Sequence, residues 1–215
     1  MRGLFTADVQ AAQRVGKEYV LGETNSVSGG GAAGVSPTFG AALWTMDYIL
    51  LATATNISRI YFHQGTVGNC QYCFFGRYSM GAPYYGAYAA TAFMAGMKYI
   101  APLDNGSNNF AADGNVARLL LYNSNYYESG SRSREGFTLT GLPVGDGVRV
   151  RFKRLTAKGA TARQDKGDEI TFGGQRFTDG TCVVSGSERF EEVVVQGGRA
   201  TIEVQATEAV VVYLK

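Results

Sequence analysis

Apolar positions follow two different spacings along the chain. Through about residue 98, runs with helical periodicity alternate with short, continuous apolar runs; beyond it, short alternating runs are separated by Gly, Asn, Asp and Ser. In the first part Thr6 is placed to cap a helix through about Val15 that Gly16 ends, and "EYVLG" reads as a buried strand. Ser36 and Pro37 offer an N-cap and a first helical position for a helix through about Thr55. "RIYFHQ" gives another strand, and a third helical pattern begins after Pro83 and ends near Met97. The second part yields about eight short strands, among them "VARLLLYN", "FTLTGL", "VRVRFKRL", "EEVVVQ", "ATIEVQA" and "AVVVYL". Gly197-Gly198 is expected to turn a hairpin between two of them.

A helix, strand, helix, strand, helix order belongs to parallel sheets with outer helices, either open or closed into an eight-stranded barrel. Two parallel strands cannot close a barrel, and left open they would show apolar faces and unpaired backbone groups to water, so the chain reads as incomplete. The alternating runs of the second part read as an antiparallel β-sandwich. The loop-like "APLDNGSNNFAADGN" separates the two, which sets expected domains at residues 1–100 and 101–215.

At 215 residues, 45% of them hydrophobic, the chain can bury a real core. No run of about 18 apolar residues occurs, which excludes a membrane-spanning helix. The opening "MRGLFTADVQ" lacks the apolar region of a signal peptide, so the chain as it stands is expected to stay in the cytosol. A net charge of +2 is too small to imply a nucleic-acid or membrane partner. The charge is unevenly spread: residues 131–166 hold nine Lys/Arg against three Asp/Glu, and Arg149, Arg151 and Lys153 alternate with Val148, Val150 and Phe152. That basic strand face is either a patch for an anionic polymer or, as favoured here, a solvated face whose charges discourage edge pairing. Cys70 and Cys73 form one C-x-x-C, with Cys182 and the single His63 as the remaining soft ligands. This is thin material for a zinc site, and a structural or free-thiol role is the better reading. The sequons at Asn56 and Asn105 are compatible with secretion but arise often by chance.

The chemistry concentrates in "LGETNSVSGGGAAG". Gly29, Gly31 and Gly34 satisfy G-x-G-x-x-G, yet the residues between Glu23 and Ser28 intervene where a dinucleotide fold needs its first glycine at the tight turn leaving the strand. A nucleotide site is therefore rejected. In a parallel barrel, chemistry gathers at the carboxyl ends of strands, and Glu23 stands where "YVLG" ends. A carboxylate there, with Thr24, Asn25 and Ser26 able to hold it, suits a nucleophile or base, while the alternative is an ordinary surface or capping carboxylate. Gly29, Gly30 and Gly31, free of β-carbons, can turn successive N–H groups toward an anion, or form a flexible loop.

The segments "LGETNSVSGGGA", "FGAALWTMDYILLA" and "IYFHQG" resemble glycoside hydrolase family 79, the retaining β-glucuronidases related to heparanase, and its fungal members above all; the resemblance extends to "ATEAVVVYLK". It implies α/β plus all-β architecture: the C-terminal part of a (β/α)8 barrel, about two strand-helix units, followed by an antiparallel β-sandwich. It places the nucleophile on Glu23, and substrate contacts on Gly29 and Gly30 (toward the uronic-acid carboxylate), on Tyr72 and, more weakly, on Gln64. His63 is expected to shape the pocket floor. The family's acid/base glutamate lies in an Asn-Glu-Pro segment, and no Asn-Glu dipeptide occurs in these 215 residues. Glu18 is set aside because strand alternation points it to the opposite face. The chain is therefore expected to carry half of a catalytic pair and to be inactive alone, with a missing N-terminal barrel segment as its partner. A glucuronide or glucuronic-acid-containing glycan is the implied substrate, no metal or organic cofactor is implied, and full-length relatives are expected to be secreted. The competing reading is a non-catalytic sandwich module that binds acidic glycans or a protein partner through its basic strand.

Overall fold

The computed structural model describes residues 3–65, 70–103, 110–112 and 116–214. Helix α1 (Thr6–Arg14) leads into strand β1 (Tyr19–Thr24), helix α2 (Phe39–Ala54), strand β2 (Ile57–Phe62) and helix α3 (Ala82–Met94). Eleven short strands follow: β3 (Ile100–Pro102), β4 (Phe110–Ala112), β5 (Arg118–Asn123), β6 (Arg134–Thr140), β7 (Arg149–Ala157), β8 (Ile170–Phe172), β9 (Arg176–Phe177), β10 (Val184–Ser185), β11 (Glu191–Val194), β12 (Arg199–Gln205) and β13 (Glu208–Tyr213). The described residues are thus mostly β with few helices, and no helix among them is long and apolar enough to cross a membrane.

Strands β1 and β2 pair in parallel. The remaining sheets are antiparallel: a seven-stranded sheet in the order β11-β7-β13-β5-β4-β3 with β8 also on β7, a β12-β6 pair, and a β10-β9 pair. The large sheet is covered on both faces, which explains why β13 departs from alternation and is buried at five successive positions. One face packs Leu119, Leu121, Val150, Phe152, Val210 and Val212 against Leu139, Ile202 and Val204 of the β6–β12 pair. The other packs Leu120, Leu155 and Val211 against Phe39, Leu43 and Leu50 of α2 and Tyr85 and Phe93 of α3. The two helices approach so closely that a β-carbon on Gly86 would fall 1.8 Å from the Ala42 carbonyl oxygen. A third, smaller cluster of Val9, Leu21, Ala52 and Ile57 fastens α1 and the parallel pair to α2.

Several local expectations are corrected. Thr6 is the first residue of α1 and does not cap it; Phe5 occupies that place with no side-chain bond. The cap of α2 is Thr38, whose hydroxyl accepts from the Ala41 N–H, because Ser36 Oγ is already engaged with the Ala32 N–H and Ser26 Oγ. The hairpin turn at Gly197-Gly198 forms, with Gln196 and Arg199 exchanging both backbone hydrogen bonds, but the strands beyond it lie in different layers, β11 beside β7 on the large sheet and β12 on β6. The expected loop at residues 101–115 is partly strand, in β3 and β4, and otherwise lies outside the described residues, as does the Asn105 sequon.

The basic face of β7 is neutralised. Arg149 and Arg151 lie 3.3 and 4.0 Å from Glu192, Lys153 pairs with Glu188, and the Phe190 ring sits 3.9 Å beneath the Arg151 guanidinium. The acidic strand β11 supplies the countercharge that the composition of residues 131–166 hides, which favours the solvated-face reading over an anionic-polymer patch.

Candidate active site

Glu23 owes its orientation to an irregularity in β1. Leu21 is opposite Ile60 and Thr24 opposite Phe62, so β1 spends one more residue than β2 over that interval. Leu21 packs into the α2 side with Ala52, and Thr24 Oγ1 is 2.8 Å from Tyr48 Oη on α2. Residues three apart cannot share a face of a regular strand, so the extra residue must be absorbed at Gly22 and Glu23, which turns the glutamate away from the helix. Its side chain is 74% exposed and its Oε1 stands 3.5 Å from His63 Nδ1. The alternation used to dismiss Glu18 does not hold across such register shifts, but Glu18 stays away from this site for another reason: it is 3.8 Å from Arg59, before the other end of the strand.

Glu23, Thr24, Asn25, Gly29, His63 and Tyr72 line, with Val27 and Ser28, a hollow of about 330 Å³. The hydrogen bonds expected of residues 24–26 go elsewhere than to the carboxylate. Thr24 meets Tyr48; Asn25 donates to the His63 carbonyl at 2.9 Å and accepts from the Ser26 N–H; Ser26 meets Ser36. These bonds fix the loop around Glu23 and leave the carboxylate to His63. The His63 ring stands edge-on to Tyr72, centroids 5.9 Å apart, and the His63 backbone N–H donates to the Thr24 carbonyl at 3.0 Å.

The three glycines all take positive φ, at 68°, 89° and 91°. Their N–H groups have no hydrogen-bond partner among the described residues, whereas the Gly30 carbonyl accepts from the Gln71 N–H at 2.8 Å. Gly31 is required for space as well: a β-carbon there would lie 2.9 Å from Tyr72 Cδ1, Gln71 Cβ and Ser36 Oγ. The structure thus brings Glu23, Gly29 and Tyr72 around one hollow. Gly30, next in the loop after Gly29, is not among the residues that line it, and Gln64 is bound elsewhere, accepting from the Phe74 N–H at 2.9 Å. Cys70 and Cys73 are joined by a disulfide, and Cys182 is free. Among the described residues no group of three or more His, Cys, Asp or Glu is arranged to hold a metal ion. The His63–Glu23 contact follows from the parallel pairing, because aligning the ends of "YVLG" and "IYF" places the residue after the second beside the glutamate of the first.

Residues 109–211 match the model of the glycosyl hydrolase family 79 C-terminal beta domain. A 4-O-α-L-rhamnosyl-β-D-glucuronidase from Fusarium oxysporum is 48% identical and superposes with a TM-score of 0.92 over 97% of this chain and 46% of its own. A β-glucuronidase of Aspergillus niger is 42% identical over 88 residues, 38% of this chain and 16% of the relative. One from Neurospora crassa is 36% identical over 94 residues, 40% of this chain and 16% of the relative. The chain spans less than half the length of the solved relative, and the aligned parts less still of the curated ones.

Proposed function

We propose, for a chain whose residues 109–211 match the glycosyl hydrolase family 79 C-terminal beta domain, that Glu23 is the nucleophile of a retaining hydrolase acting on β-linked glucuronic acid. The observation that carries this reading is the bulge-turned carboxylate at the end of a parallel strand, facing a sugar-sized hollow with unpaired glycine N–H groups near it. On this reading residues 1–100 are about two strand-helix units of a (β/α)8 barrel and residues 101–215 a β-sandwich that buries the outer faces of α2 and α3. A solved relative named a 4-O-α-L-rhamnosyl-β-D-glucuronidase and a curated one named a β-glucuronidase support the substrate class, a glucuronide or glucuronic-acid-containing glycan.

In the proposed reaction one Glu23 oxygen attacks the anomeric carbon and the leaving oxygen takes a proton from an acid about 5 Å across the bond; water then hydrolyses the glycosyl-enzyme with that acid acting as base. Glu23 is the sole carboxylate among the described residues that line the hollow, and on this reading the acid/base is supplied by another barrel segment. His63 holds the attacking carboxylate in place, and Gly29 and Gly30 offer N–H groups to the C6 carboxylate, a role that suits neutral donors where a second negative charge must approach the first. Tyr72 closes the wall.

A 2-deoxy-2-fluoro-β-glucuronosyl fluoride tests the nucleophile alone, because fluoride departs without an acid. The covalent adduct is expected on Glu23 by peptide mass and absent from Glu23→Gln. An adduct on another carboxylate, or one that survives the substitution, would overturn the assignment.

A further inference from the structure

Residues 70–74 form a wall between two hollows. Cys70, Gln71 and Cys73 border a larger hollow of about 480 Å³, while Tyr72, set between them, borders the one that holds Glu23. The stretch belongs to no helix or regular strand, yet Tyr72 is only 6% exposed. It is tied on both sides. Toward the exit of β2, Gln64 accepts from the Phe74 N–H at 2.9 Å and the Gly65 N–H points at Cys73 Sγ from 3.1 Å. Toward the glycine loop, Gln71 donates to the Gly30 carbonyl at 2.8 Å, and Gln71 and Tyr72 fill the space that a Gly31 side chain would need. The Cys70–Cys73 bond closes a ring around the two residues that make these glycine-loop contacts.

The geometry points to the Cys70–Cys73 disulfide as a redox-sensitive positioning clasp. Closed, it holds Gln71 on Gly30 and Tyr72 between Gly31 and His63; opened, it frees the glycine loop from the wall of the Glu23 hollow and weakens uronate binding there. Only that last consequence rests on the function proposed above. Both cysteines are partly exposed and face the larger hollow, which gives a reductant its approach. A dithiol attacks one sulfur as its thiolate, the mixed disulfide is resolved by the reductant's second sulfur, and two electrons and two protons leave two protein thiols and a cyclic oxidised reductant. Such a bond is kept in an oxidising compartment and opened in a reducing one.

The test uses the chain with Cys182→Ser, so that no free thiol can exchange into the bond, in three forms: oxidised, reduced with dithiothreitol, and carrying Cys70→Ser with Cys73→Ser. Amide exchange is read residue by residue, and each form is titrated with glucuronate. Opening the bond is expected to speed exchange at the Gln71 amide by about tenfold or more while Leu120 and Val211 in the large sheet keep their rates. Glucuronate affinity is expected to fall in parallel. Unchanged Gln71 exchange, with two new thiols counted by mass, overturns the clasp. Faster exchange with equal glucuronate affinity overturns its positioning role. If no form binds glucuronate but Gln71 still responds, the clasp stands and the uronate reading of the hollow is what fails.

Discussion

Two glutamates show what separates the parallel pair from the sandwich. Glu208, at the start of β13, has a side chain only 3% exposed, with Arg154 at 2.7 Å, Arg132 at 3.6 Å, the Thr156 hydroxyl at 2.5 Å and the Gln205 N–H at 3.2 Å. Both oxygens accept hydrogen bonds and face buried guanidinium charge, so this carboxylate ties β7, β13 and the turn before it together and is closed to a substrate. Glu23 is 74% exposed and has, among the described residues, one partner, at 3.5 Å. The sandwich encloses its strands on both sides and saturates the charges it buries, whereas the parallel pair ends at a hollow and leaves its carboxylate available. Availability, rather than the presence of a glutamate at a strand terminus, is what distinguishes the proposed nucleophile from Glu208.

The largest expected effect that would test this contrast is on stability. Glu208→Ala leaves Arg154 and Arg132 without their buried countercharge and is expected to cost about 3–5 kcal/mol in denaturant unfolding. Glu23→Gln in the same assay is expected to stay within about 0.5 kcal/mol, as an exposed site should. Equal losses for the two would break the comparison.

A smaller effect probes the seam between the helices and the sandwich. Tyr85 of α3 is fully buried; its hydroxyl donates to Gln164 at 3.2 Å and accepts from the Phe177 N–H at 2.9 Å. Burial pushes its phenol up to about 12 from an ordinary 10, and burial does the same to Tyr122 on β5, pushed up to about 12 with help from the nearby Asp47 charge. Below pH 10 both folded and unfolded phenols are protonated and the full stability is present. As pH rises from 10 toward 12 the unfolded chain loses these protons first, so stability should fall by on the order of 2 kcal/mol for each phenol. Tyr85→Phe is expected to cost about 1–2 kcal/mol at neutral pH, by leaving the Phe177 N–H unpaired, and to flatten that alkaline decline. A decline of unchanged steepness would show that Tyr85 does not sense the seam.

The smallest effect concerns the β7 stripe. Arg149 is paired but exposed, so Arg149→Ala is expected to change unfolding free energy by no more than about 0.5 kcal/mol. A clear loss would mean that the pairing with β11 contributes more to the sandwich than exposed ion pairs usually do.

The order of elements, the change near residue 98 from helical to alternating periodicity, and the strands β5, β6, β7, β11, β12 and β13 were all legible in the sequence, because each follows from periodicities that a few neighbouring residues enforce. Its resemblance to family 79 was legible too, on the segment around Glu23 and on the sandwich. Tertiary structure alone decided the rest. Thr38 replaced Ser36 as a cap because Ser36 was claimed by Ser26 and Ala32, and the strands on either side of the turn at Gly197-Gly198 went to different partners, β11 to β7 and β12 to β6. The β7 cations met an acidic strand some forty residues away, Cys70 and Cys73 met each other, and a one-residue surplus in β1 against β2 turned Glu23 toward the hollow. Such outcomes depend on competition among partners distant in sequence, and a local pattern carries no record of which partner will be near enough to win.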